Sequence, residues 1–183
     1  MGGCVSEHDG ADGTGEWVLL SYRLPREPST PRIAIWRKLK RLGVAQLSDG
    51  LVALPADART REQLEWIADE AMEADGAASI WLARPAALGQ ERELVQGMAD
   101  ARAAEYRAVL DEAAQVPAAG MNPLAATRRL RAELRRIGAR DFFPPPERDL
   151  AHAAVQALLD PPQTDRPARA AAPRAAQPPK EPS

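Results

Sequence analysis

The chain of 183 residues holds one cysteine, Cys4. That excludes an intramolecular disulfide framework and a cysteine-based metal cluster within one chain. Histidine is almost as scarce, with only His8 and His152. Neither has carboxylates near it at ligand spacing, so no zinc site is expected. Ser21, Ser48 and Ser79 have no histidine in their region to serve as the base of an acyl-transfer triad. No apolar run reaches the roughly 18 residues of a membrane helix, and residues 1–15 are too polar for a secretory signal. No redox thiol pair or flavin motif is present. The glycine-rich GADGTG at 10–15 precedes the first strand instead of following one, which removes a dinucleotide or phosphate loop. The net charge is −2, so a nucleic-acid role must rest on local patches and not on overall basicity. These absences point to a soluble cytoplasmic protein that is not an enzyme, with no catalytic residues, no metal and no cofactor. Asp49 and Asp141 are the most deliberately placed acids. The first reads as a turn residue and the second as a local cap or pairing group.

What is present is a succession of well-punctuated elements. At 45% hydrophobic, the chain can bury one ordinary core and carry an appended helical piece. Residues 1–15 have no apolar period and read as a disordered leader. Their opening MGGCVS matches the N-acylation pattern, against the plainer reading of a Gly-rich leader. The run WVLLSY (17–22) suits a strand buried on both faces. Thr30 as N-cap, Pro31 at the first helical position and Gly43 at the end bound a helix whose inward stripe is Ile35, Trp36, Leu39 and Leu42. SDG (48–50) joins short strands at 44–47 and 51–54. The capping box TREQ opens a second helix at 60–75, with Leu64, Ile67, Ala68, Ala71 and Met72 inward. A fourth strand covers 77–83. The order β-α-β-β-α-β is the α+β ferredoxin-like sandwich, with both helices on one face of the sheet. It occupies residues 16–86. A helical extension follows at 87–159, as a long hairpin (89–116 and 123–140) and a short helix (147–159). Residues 160–183, dominated by Pro, Ala, Arg and Gln, read as a disordered tail. Trp36 and Trp81 read as core or subunit-interface aromatics, and Phe142 and Phe143 as docking the last helix onto the hairpin of long helices.

Charge is laid out unevenly. The first helix carries Arg32, Arg37, Lys38, Lys40 and Arg41 with no acid among them. The second helix is the reverse, with Glu62, Glu65, Asp69, Glu70, Glu73 and Asp75 against Arg61. Side by side on one sheet face, the two would polarise the surface. The densest basic segment is TRRLRAELRRIGAR (127–140). There Arg128, Arg129, Arg131, Arg135, Arg136 and Arg140 surround a narrow stripe of Leu130, Leu134 and Ile137, with Glu133 the single acid. Guanidinium forks contact phosphates well, so both helices are candidates for DNA backbone contact. The alternative is a solvated face, or one that pairs with the acidic helix of the same or another subunit.

Several of these residues resemble the N-terminal domain of the ChrB chromate-resistance proteins of bacteria. The likeness rests on the apolar W-x-L-L strand (17–20) and on R-x-x-x-W-R-x-L-K-x-x-G from Arg32 to Gly43. The D-G and L-P of 49–55 and Asp141-Phe142-Phe143-Pro144 complete it, over roughly residues 16–150. The resemblance implies a chromate-responsive transcriptional regulator, with DNA of a promoter region as partner. The repressors of phenylacetate catabolism have a similar ferredoxin-like domain. Two further partners follow: a second copy in a homodimer, and a separate C-terminal chromate-resistance protein, because the chain stops near where that second domain would begin. Chromate as an effector stays open, since the arginines form no pocket visible in the sequence. The competing class is a non-enzymatic interaction or dimerisation module that pairs with a separate C-terminal sensor half.

Overall fold

In a computed structural model, the structure describes residues 15–159. The N-acylation motif, the leader before residue 15 and the tail from 160 lie outside them. Nine elements follow one another: β1 (Trp17–Arg23), α1 (Thr30–Leu42), β2 (Ala45–Ser48), β3 (Leu51–Pro55), α2 (Ala58–Glu73), β4 (Ala77–Ala83), α3 (Leu88–Ala118), α4 (Pro123–Gly138) and α5 (Glu147–Ala157). The sheet order is β2-β3-β1-β4, with every neighbouring pair antiparallel. This is the ferredoxin-like arrangement expected from the element order.

Period-two alternation sorts the central strands. Val18 and Leu20 pair across with Leu54 and Val52 on one side and with Leu82 and Ile80 on the other. Opposite residues of an antiparallel pair share a face. Leu64, Ile67, Ala68 and Ala71 of α2 and Ile35 and Leu39 of α1 join these strands in one buried cluster. The other sheet face carries Trp17, Leu19 and Ala53. It is covered in part by Leu94, Val95 and Met98 of α3 and by Phe142 and Phe143, whose second ring lies 6.1 Å from that of Trp17. The two phenylalanines therefore dock onto the sheet core, not onto the helical hairpin. A separate apolar cluster sits among α3, α4 and α5, built on Tyr106, Val109, Leu130, Leu134, Ile137 and Val155.

The hairpin tip needs its glycine. Gly50 has φ +73, and a Cβ there would lie 2.4 Å from the Tyr22 carbonyl oxygen. The Tyr22 N–H in turn donates to the Gly50 carbonyl at 2.7 Å, which seals the hairpin onto β1.

Four local expectations are corrected. The α2 cap lies one turn earlier than expected: Asp57 is the N-cap, Thr60 is its N3 partner, and the two bond reciprocally at 2.7 and 3.0 Å. Thr60 is itself buried and donates to the Pro55 carbonyl at 2.6 Å. In α1 the N-cap is Ser29, which makes no side-chain cap bond, and Thr30 is already helical. Trp36 and Met72 are not inward: they are 46% and 50% exposed. The inward stripe of α1 is Ile35 and Leu39, with Leu42 partly buried against the same cluster, and Trp36 stands at the flank with the Lys40 ammonium 4.2 Å above its ring. Trp81, on the edge strand, is 60% exposed, so of its two expected roles the core is excluded and the subunit interface stays open.

Candidate nucleic-acid interface

Both basic helices present their charges outward, because their apolar stripes are narrow. On α4 the buried side is Ala126, Thr127, Leu130, Leu134 and Ile137. Asn122 fixes its start by accepting from the Leu124 and Ala125 N–H groups at 2.9 and 3.3 Å. Arg128, Arg129, Arg131, Arg135 and Arg136 are all exposed. On α1, Arg32, Arg37, Lys40 and Arg41 are exposed and Lys38 is partly so.

Tertiary contacts then divide the eleven cations. Lys38 pairs with Glu70 of the acidic α2, so the two oppositely charged helices meet within one chain. Arg129 pairs with Glu112 of α3, and Arg136 with Glu133 at 2.5 Å. Arg131 donates to the Gln156 side chain at 2.6 Å, and Arg32 to the Arg26 carbonyl at 2.7 Å. Lys40 lies over Trp36. Arg140 is drawn furthest in, paired with Glu105 and partly buried. Four exposed guanidiniums engage no partner among the described residues: Arg37 and Arg41 on α1, and Arg128 and Arg135 on α4. Ion pairs between half-exposed partners are weak, so Arg129 and Arg136 can exchange their carboxylates for phosphates at small cost.

The C-terminal ends of the two helices converge. Gly43 closes α1 at φ +74, and a Cβ there would lie 3.0 Å from the Arg140 Cβ and 2.9 Å from Arg102 Nη1. A polar knot sits at this junction. Arg102 contacts Glu105 at 2.9 Å, Glu105 also holds Arg140, and the Tyr106 hydroxyl donates to Asp141 Oδ2 at 2.9 Å. Burial lowers the pKa of Arg102, partly offset by Glu105. Burial, with the Asp141 hydrogen bond, pushes the Tyr106 phenol up to about 12. At the opposite end of the sheet, burial raises Tyr22 and the exposed Asp49 adds to it. Asp49 is thus a turn residue beside Tyr22, and Asp141 is the pairing group of Tyr106.

The junction was not foreseen from the sequence, although a signal exists. Arg102 lies four residues from both Met98 and Tyr106 on the buried stripe of α3, and a charge on an apolar stripe needs an internal partner. His152 is exposed on α5. No three His, Cys, Asp or Glu side chains are grouped to hold a metal among the described residues. No helix among those residues is long and apolar enough to cross a membrane.

Residues 32–119 match the family described as Protein ChrB, N-terminal. Those residues belong to the ChrB N-terminal family. Protein ChrB of Cupriavidus metallidurans is 33% identical over 144 residues, which is 70% of this chain and 40% of that relative. The chain therefore spans less than half the length of the curated protein it matches. No solved structure matches the chain significantly. The ChrB N-terminal match runs from within α1 to the end of α3. It holds the basic α1, the acidic α2 and the Arg102–Glu105 half of the junction, while the arginine-rich α4 lies beyond it.

Proposed function

We propose that this chain is the DNA-binding part of a non-enzymatic, cytoplasmic transcriptional regulator associated with chromate resistance. The observation that supports it is the set of exposed guanidiniums that engage no partner among the described residues, Arg37, Arg41, Arg128 and Arg135, on two helices whose C-terminal ends meet at Gly43. Such a surface suits phosphate contact. Its contribution is electrostatic affinity and orientation, not sequence readout. The match of residues 32–119 to the ChrB N-terminal family supplies the chromate context.

The test is fluorescence anisotropy of the whole protein against its own upstream DNA and a scrambled duplex, across salt, with and without chromate. About six phosphate contacts would cost roughly three decades of affinity between about 50 and 200 mM salt. The double substitution Arg128→Gln/Arg135→Gln should reduce the slope of log K against log salt by about two. An unchanged slope removes α4 from the interface. Binding to neither duplex at low salt sinks the DNA reading. It would favour a module that docks a separate C-terminal sensor half, for which the exposed Leu124 and Leu150 of the helical extension offer apolar contacts.

A further inference from the structure

The two edges of the sheet are built differently. The β2 edge has four residues, is irregular between Gln46 and Ser48, and has α3 against it. Shortness, irregularity and cover are the devices that keep an edge from recruiting another strand. The β4 edge has none of them. Its sequence AASIWLA carries no charge and no proline, and it stays in register with β1 from Ala77 to Ala83. Among the described residues nothing pairs with its outer side, so a full row of N–H and C=O groups is left open there.

Exposed apolar groups flank that row on both sheet faces. Trp81 is 60% and Leu82 53% exposed, and their side chains alternate to opposite sides. Above the edge, Glu70 marks the side of α2 that faces α1, through its pair with Lys38. Met72 is two residues on, about 200° round the helix, so it stands on the far side, over β4. Arg61 and Glu65 share that side and neutralise each other at 2.8 Å. This margin is uncharged in strand and neutral in helix.

We propose that the β4 edge is a homodimer seam: two copies join β4 to β4, antiparallel about a two-fold axis, and fuse two four-stranded sheets into one. Charge placement selects a second copy as the occupant. Asp75 precedes the strand and Arg84 follows it. Antiparallel pairing centred on Ile80 sets Ser79 opposite Trp81 of the second copy and brings Asp75 beside its Arg84 at each end. A parallel pairing would set Asp75 against Asp75. The contact is isologous, with main-chain hydrogen bonds for affinity and the Trp81, Leu82 and Met72 surfaces as its apolar flanks.

Size-exclusion chromatography with light scattering on the whole chain should give a dimer, twice 19.8 kDa. The double substitution Ser79→Lys/Trp81→Lys changes only exposed positions and sets lysines opposite each other. Like charges in apposition should raise the dimer dissociation constant by about 100-fold or more, with an unchanged far-UV circular dichroism spectrum. In a Cys4→Ser background, Ile80→Cys should cross-link across the axis under mild oxidation, whereas Ser79→Cys should not, because its opposite residue is Trp81. A chain that is monomeric at all concentrations overturns the proposal. So does a dimer that withstands the lysine pair, or one that cross-links as well through Ser79→Cys.

Discussion

In the sheet unit, aliphatic side chains from Val18 and Leu20 to Leu64 and Ala71 fill the space between strands and two helices. In the helical extension, Tyr106, Leu130, Leu134 and Ile137 fill the space among three helices. The layer between the two is polar, with Arg102, Glu105, Arg140 and Asp141 around the closing glycine of α1. The helix α3 runs through it: Met98 belongs to the first cluster and Tyr106 to the second. Apolar burial is non-directional and supplies most of the stability on either side. Hydrogen-bonded ions supply little net stability but accept few geometries, so the junction sets how the units sit and the cores set how firmly each one folds.

The strongest way to break this contrast is to cut each core separately. Leu20→Ala and Leu134→Ala should each cost about 2–5 kcal/mol, followed by urea unfolding with circular dichroism and tryptophan fluorescence. Because α3 runs through both clusters, one shared transition should move in both variants. Two transitions, each answering to one variant, would show that the junction does not couple the units.

Next in size is the junction itself. Tyr106→Phe removes the donor to Asp141 and leaves a carboxylate whose Oδ1 is already without a partner in a buried position. The expected loss is about 1–3 kcal/mol. A loss under about 0.5 kcal/mol, typical of a surface change, would move that hydroxyl out of the joint. The same residue makes an alkaline prediction. Its phenol has an ordinary value of 10.0 and is pushed up to about 12 in the folded chain. The unfolded state therefore releases its proton first, and stability is lost as pH rises from 10 towards 12. The thermal midpoint should fall over that window in the parent and fall less in Tyr106→Phe. Equal falls in both would remove Tyr106 as the cause.

The smallest effect sharpens the contrast from outside. Arg128→Gln/Arg135→Gln touches neither core nor junction, so unfolding stability should stay within about 0.5 kcal/mol while the salt slope of the proposed DNA binding falls by about two. A clear loss of stability would mean that these arginines hold structure and not phosphate.

Much of the fold could be read along the chain. The order of strands and helices, the Gly43 stop and the SDG turn are local signals, and the element order carried the sandwich with it. The cap of α2 is not legible in the same way, because Asp57 and Thr60 lie three apart, as Thr60 and Gln63 do, and spacing alone does not tell which pair holds the first turn. Trp36 falls outside the inward stripe of α1, since period alone does not say how much of a helix its neighbours cover. At the candidate interface, the eleven basic residues could be named in advance, but not which of them already hold a carboxylate.

Periodicity of two and of 3.6 residues acts within a few neighbours, and so the chain's own order of residues decided its elements and which face of each is apolar. Partnerships were decided by the fold. Lys38 meets Glu70 at 32 positions' distance, and Tyr106 meets Asp141 at 35. The open β4 edge exists only because β1, not β4, was placed at the middle of the sheet. Contacts between residues far apart in sequence depend on how whole elements pack, and no local pattern encodes that.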